Sequence, residues 1–224
     1  LYMSRIGRVS PLAWTGLAEE VRVVVNEWSF RKDLGVYVAP GAGQRGAPAS
    51  FIHVTATAEI YTDEAFGDGV IADQIGQMTR RSVQFEWPKA CGFIQHEASH
   101  AAWSTRGLDV VQQRIGAVTR GYYEMLDESR IEAQAMLAWP QNRAFLRASA
   151  LWIATGLKHD HDGTVPAGVS AQKDLDRAKK AAEDAQANPV EYAGSMLLLA
   201  VARVNAGVLD AADVSGLMPI IEQH

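Results

Sequence analysis

Two histidines four residues apart, with a glutamate directly after the first, lie near the middle of the chain in the stretch His96-Glu97-Ala98-Ser99-His100. Side chains four residues apart share one face of an α-helix, so both imidazoles can bind one ion. Zinc accepts neutral imidazole nitrogen, and a catalytic zinc site keeps three protein ligands and an open position for water. Glu97 can take a proton from that water as a general base. The H-E-x-x-H spacing therefore predicts a zinc site with hydrolytic chemistry.

The alternative is a chance occurrence of the pentapeptide in a metal-free helical protein. The flanking residues argue for a metal, because they are apolar and indicate that the helix packs into a core: Phe93, Ile94, Ala101 and Ala102. Polar groups on such a helix must find partners, since burying them unpaired is costly. A metal ion would satisfy both histidines, so we favour the metal site.

The third ligand must come from elsewhere in the chain. The metzincin pattern H-E-x-x-H-x-x-G-x-x-H is absent, because Trp103 stands at the glycine position and Arg106 at the last histidine position. Cys91 is the only cysteine, so a cysteine-rich zinc cluster is excluded. The remaining possibility is a carboxylate from a later helix, as in thermolysin-like sites.

Glu124, Glu128 and Glu132 are spaced four apart in a predicted helix and would form one acidic stripe. Like charges at this spacing repel each other by a few tenths of a kcal/mol per pair, and a cation in front of the stripe would remove that cost. The alternative is a solvated helix face. Apolar residues between the glutamates indicate that the helix packs against something: Leu126, Ile131, Ala135 and Met136.

H-E-A-S-H followed by a helix with E-S-R-I-E-A-Q resembles the gluzincin-type zinc metallopeptidases, in particular the zincin-like metallopeptidase domains of bacteria and phages. The resemblance covers about residues 51–138 and includes the segment Ala58–Tyr61 before the motif helix. It implies that the first glutamate of E-x-x-x-E is the third ligand and that the residue four positions later supports a histidine. Two registers fit, Glu128 with Glu132 or Glu124 with Glu128. We prefer Glu128 as the ligand, although the family more often has Asp than Glu at the supporting position.

The resemblance implies a zinc-dependent peptidase that hydrolyses a peptide or protein substrate. His96, His100 and Glu128 would hold Zn²⁺, and Glu97 would activate the water that attacks the peptide carbonyl. The alternative is a zincin-fold structural or assembly module, for example a phage or virion component, with a non-catalytic zinc. The glutamate at position 97 argues against it, because a purely structural site needs no general base.

These residues require a helix for the motif and a second helix for the acidic stripe. Strand patterns precede the motif and helical patterns follow it, which predicts an α+β, mainly helical, zincin-like fold with a small N-terminal sheet packed on the H-E-x-x-H helix. We predict strands within 34–50 and 51–61, a turn at 63–68, a loop at 158–168, and helices at 14–30, 70–81, from Pro88 towards Gly107, at 118–138, 141–155, 170–187 and 189–206.

We expect residues 1–158 to form the metallopeptidase domain and residues 159–224 a helical extension packed on it. The chain is 48% hydrophobic with a formal net charge of -5 and no block of Lys and Arg, so nucleic acid is not an expected partner. The most apolar run, Met196–Ala202, is far shorter than the roughly 20 residues a membrane span needs. No signal peptide is seen at the N-terminus, which favours a cytoplasmic protein, or a virion-associated one if it is of phage origin.

Several other side chains have the chemistry of functional groups. His159-Asp160-His161-Asp162 could bind a metal or lend a third ligand, but a solvated turn is the better interpretation. One of the tyrosines at 122 and 123 could hydrogen-bond a tetrahedral intermediate, although such residues more often pack. We predict packing roles for the others: His53 as a core or edge histidine, Cys91 as a buried core residue, and Trp87 and Trp103 as core anchors.

Overall fold

The computed structural model describes residues 7–43, 47–104, 117–155 and 200–215, with only the backbone described for 117–122, 124 and 154–155. The chain divides into two compact units, residues 1–106 with 144–146, and residues 107–143 with 147–224. The fold is mixed α+β and mainly helical, with one three-stranded sheet among the described residues. None of the described helices combines the length and the apolar character that crossing a membrane requires.

The first unit begins with helix α1, Thr15–Trp28, which follows a short 3-10 turn at Leu12–Trp14. The apolar residues at helical spacing that predicted this helix are all buried: Leu17, Val21, Val24, Val25 and Trp28. The prediction of a helix at 14–30 is therefore confirmed, and its apolar stripe faces the core.

The sheet consists of β1 (Gly35–Ala39), β2 (Ala49–Ile52) and β3 (Thr57–Tyr61) in the order β1-β3-β2. β1 pairs parallel to β3, and β2 pairs antiparallel to it, with Ala49 opposite Ile60. The segment 51–61 therefore holds parts of two short strands joined by a turn. β3 is the central strand and is buried along its whole length, whereas β2 forms one edge.

Helix α5, Pro88–Trp103, carries the H-E-x-x-H motif and begins with proline at its first position, as predicted. It contacts β2, β3 and α1, while α1 also contacts β1. The small sheet thus packs on the motif helix, and its edge strand β2 lies against that helix.

Two predictions for the stretch between β3 and α5 were wrong in part or in whole. The expected turn at 63–68 begins as a short helix, α2 (Thr62–Ala65). The expected helix at 70–81 is instead two short helices, α3 (Ala72–Ile75) and α4 (Arg81–Glu86). Gly76 follows α3 with φ of 76°, a conformation that ends a helix and that glycine adopts without steric cost.

In the second unit, helix α6 spans Ala117–Ala138 and ends before Pro140, as predicted. A 3-10 turn, Pro140–Asn142, leads into α7, Arg143–Thr155, close to the predicted helix at 141–155. Residues 200–205 and 211–215 are helical, in agreement with the end of the predicted helix at 189–206. The predicted loop at 158–168, the helix at 170–187 and the domain division after residue 158 lie outside the described residues.

Two ion pairs, each with a buried carboxylate, connect the helices of the second unit. Arg203 Nη2 lies 3.0 Å from Glu132 Oε1, and both side chains are almost completely buried. The Arg147 guanidinium donates to both carboxylate oxygens of Asp213, at 2.9 Å to Oδ2 by its Nε. This bonding to Arg147 lowers the pKa of the Asp213 carboxyl below its ordinary value.

Candidate metal centre

The two motif histidines lie side by side on α5, as their spacing predicts. Their Nε2 atoms are 3.2 Å apart and their ring centroids 4.7 Å apart, with the ring planes at 89°. Two nitrogens bound to one tetrahedral zinc at about 2.05 Å are separated by about 3.3 Å. The imidazole pair therefore has the spacing that a shared zinc ion requires.

The sequence of α5 explains why these side chains are presented together. Phe93, Ile94 and Ala98 are buried and hold the helix against its neighbours, whereas His96 and His100 are half-buried on the remaining side. Glu97, between them in sequence, is only 5% exposed. A carboxylate in such a water-poor setting interacts more strongly with neighbouring charges and protons than one in bulk water.

Two residues, Ser104 and Arg31, hold the end of α5. Ser104, where the chain leaves the helix, donates its backbone N–H to the His100 carbonyl at 3.1 Å, and its Oγ lies 2.8 Å from His100 Nδ1. Arg31 Nη1 donates to the Ala101 carbonyl at 3.2 Å and is itself held by Asp33. His100 therefore lies in a last turn in which its own carbonyl and that of Ala101 have partners, which opposes fraying.

Glu128, on α6, is half-buried and completes a group of three ligand donors. One ligand atom each of His96, His100 and Glu128 lies within 4.8 Å of the other two. Two imidazole nitrogens and one carboxylate oxygen are the donor set of many catalytic zinc sites. The donor chemistry therefore fits zinc, and the structure itself indicates a possible metal-binding cluster without identifying the ion.

The other glutamates of the predicted acidic stripe differ from Glu128. Glu132 forms the buried ion pair with Arg203, a long-range contact that the sequence pattern did not indicate. The side chain of Glu124 lies outside the described residues, so the choice between Glu124 and Glu128 as ligand stays a prediction. The proposed support of a histidine by Glu132 stays a prediction as well.

His53 is not a core histidine, because it follows the edge strand β2 and is exposed. It is exposed in the turn directly after β2, and its ring lies edge-on to that of His100 with a centroid distance of 6.3 Å. Phe51, two residues earlier, contacts the His53 ring at 4.9 Å. The contact exists because β2 packs on α5. The sequence predicted a small sheet on this helix but not that β2 would bring His53 to His100.

The other side chains considered as candidates are buried or half-buried wherever the structure describes them. Cys91 is fully buried as predicted, and burial raises the pKa of its thiol to about 12. Trp87 and Trp103 are half-buried and make ring contacts with Phe66 and Phe30 at 5.4 and 6.2 Å. Tyr123 is half-buried, while the side chain of Tyr122 and the cluster at 159–162 lie outside the described residues.

No protein-family model matches the chain, and neither a curated protein nor a solved structure matches it. The resemblance to the gluzincin-type peptidases therefore rests on the two short motifs and stays a prediction.

Proposed function

We propose that the protein is a zinc-dependent peptidase in which His96, His100 and Glu128 hold the ion and Glu97 is the general base. The observation that carries the proposal is the convergence of three ligand atoms, from two histidines and a glutamate, within 4.8 Å. A glutamate buried directly beside the first histidine adds a proton acceptor to that set.

Each residue has a distinct task in the proposed reaction. The two imidazoles offer the lone pairs of their Nε2 atoms, and the Glu128 carboxylate adds negative charge to the ligand set. A zinc ion bound there would supply Lewis-acid chemistry to water and to a carbonyl oxygen. Glu97 takes a proton from the attacking water on a carboxylate oxygen and delivers it to the leaving amine nitrogen. The C–N bond breaks, and the products are a carboxylic acid and an amine.

Glu97→Gln tests the general base directly. The amide keeps the size of the side chain but cannot accept the proton, so we expect peptide hydrolysis to fall by about 10²–10⁴-fold. The zinc content and the melting temperature should stay near those of the wild type. Hydrolysis is measured on a mixed peptide library by mass spectrometry, because the substrate sequence is unknown.

Glu86→Gln is the matched control, since Glu86 is an exposed glutamate at the end of α4. Fully zinc-loaded wild-type protein that cleaves no peptide in the library would favour a structural zinc module instead. Cleavage that is equal in the Glu97→Gln and Glu86→Gln variants would remove Glu97 from the mechanism.

A further inference from the structure

Ser104 makes two contacts with His100. Its backbone N–H donates to the His100 carbonyl at 3.1 Å, and its Oγ lies 2.8 Å from His100 Nδ1. The backbone bond is independent of the side chain, so the hydroxyl contact is an additional constraint on the imidazole ring.

A neutral imidazole carries one N–H, so the hydrogen bond made by one ring nitrogen decides what the other can do. If Nδ1–H donates to the Ser104 hydroxyl, the lone pair lies on Nε2. That is the atom 3.2 Å from His96 Nε2 and the atom that must bind the ion. The opposite arrangement, with the hydroxyl donating to Nδ1, would put the proton on Nε2 and block the ligand.

We infer that Ser104 is a positioning residue that accepts a hydrogen bond from His100 Nδ1–H and so presets His100 as an Nε2 ligand. In the metal-free protein, His96 then donates its Nε2–H to His100 Nε2, and only His96 changes its tautomer when an ion binds. The inference deepens the proposed metal site and rests on it for its effect on zinc affinity. Its effect on the His100 ring is independent of any metal.

Three serine variants separate the effect of the Ser104 hydroxyl from other effects. Ser104→Ala removes the hydroxyl but keeps the backbone N–H that caps the helix, and Ser104→Thr restores a hydroxyl. Ser99 is the matched control, because it is a fully buried serine of the same helix whose Oγ donates to the Gln95 carbonyl at 2.7 Å. Ser99→Ala therefore removes a buried α5 hydroxyl that serves the backbone and not a histidine.

The first measurement is the His100 tautomer in metal-free, ¹⁵N-labelled full chain at about pH 8, above the ordinary imidazole pKa of about 6.5. Long-range ¹H–¹⁵N spectra distinguish a protonated Nδ1 from a protonated Nε2. We expect His100 to be protonated at Nδ1 in the wild type, Ser104→Thr and Ser99→Ala, and to shift towards Nε2–H in Ser104→Ala. Wild-type His100 protonated at Nε2 would overturn the inference without any variant having to fold.

The second measurement is zinc affinity by competition with a chromophoric chelator. Loss of an outer hydrogen bond to a ligating histidine typically costs about 10–100-fold in metal affinity, which we expect for Ser104→Ala. Ser104→Thr and Ser99→Ala should stay within a few-fold of wild type. Equal affinities of Ser104→Ala and Ser99→Ala would refute the role of Ser104. Wild-type protein that binds no zinc would instead refute the proposed function, while the tautomer measurement would still decide whether Ser104 sets the His100 ring.

Discussion

Breaking the buried ion pair between Glu132 and Arg203 should cost far more stability than breaking an exposed one. Their side chains are 3% and 8% exposed, and Oε1 and Nη2 are 3.0 Å apart. Removing one partner of a buried pair leaves an uncompensated charge, at a typical cost of about 3–5 kcal/mol. Because water reaches so little of Glu132, we expect Arg203→Met to reach that range. In a chain of this size the loss corresponds to a decrease in melting temperature of roughly 6–20 °C.

The chain offers a matched exposed pair as the control. Arg22 Nη2 lies 2.6 Å from Glu19 Oε2, with the two side chains 40% and 61% exposed. Exposed pairs contribute about 0.2–1 kcal/mol, so Arg22→Met should change the free energy of unfolding by no more than that. Urea unfolding of the zinc-free protein, followed by circular dichroism, measures both variants without a contribution from bound metal.

A double variant separates the loss of the pair from the loss of packing. Glu132→Gln combined with Arg203→Met leaves no unpaired charge, so much of the stability lost in Arg203→Met should return. If Arg203→Met destabilises no more than Arg22→Met, the argument from burial is wrong.

Three further outcomes are expected. The protein should bind about one zinc ion per chain by elemental analysis, lose it in His96→Ala or His100→Ala, and keep it in His53→Gln, because His53 is not among the three clustered ligands. Glu128→Gln should weaken zinc binding far more than Glu124→Gln, and the reverse order would move the ligand one helical turn earlier. Arg147→Met should be less stable than wild type at neutral pH, and the difference should shrink as the pH falls below about 4. The sign follows from the lowered pKa of Asp213, whose stabilisation is present above its ordinary pKa of about 3.9 and is lost as it is protonated. Urea midpoints across pH 7 to about 2 check this, and a constant difference would contradict it.

Elements with strong local signals were predicted well. Helix α5 begins at Pro88, where proline fits the first helical position, and α6 ends before Pro140, which cannot continue a helix. The helix expected at 70–81 was wrong because Gly76 takes a positive φ and ends α3. The residues around this glycine are compatible with a helical pattern, so the pattern did not show the break. The strand order could not be predicted from the sequence either. β2 lies between β1 and β3 in the chain but at the edge of the sheet.

The residues of the candidate site also differ in how far local sequence predicted them. His96 and His100 are four residues apart in one helix, so their spacing alone predicted their proximity. Ser104 is four residues after His100 and could have been found by the same rule. His53 contacts His100 only because β2 packs on α5. Glu128 was preferred because of a resemblance. It lies on a different helix from the histidines, so the spacing along the chain does not predict its distance from them.

The electrostatic argument for the acidic stripe changes once the partners are known. The spacing of Glu124, Glu128 and Glu132 predicts one acidic stripe, and a cation in front of the stripe would remove the repulsion between the three charges. Arg203 supplies that positive charge to Glu132 in the structure, at 3.0 Å and out of solvent. Arg203 therefore offsets part of the repulsion along the helix, and this repulsion no longer argues for a metal at Glu132. What still argues for one is that Glu128 has a ligand atom within 4.8 Å of ligand atoms of His96 and His100. The Nε2 atoms of these two histidines are already at the separation of zinc ligands.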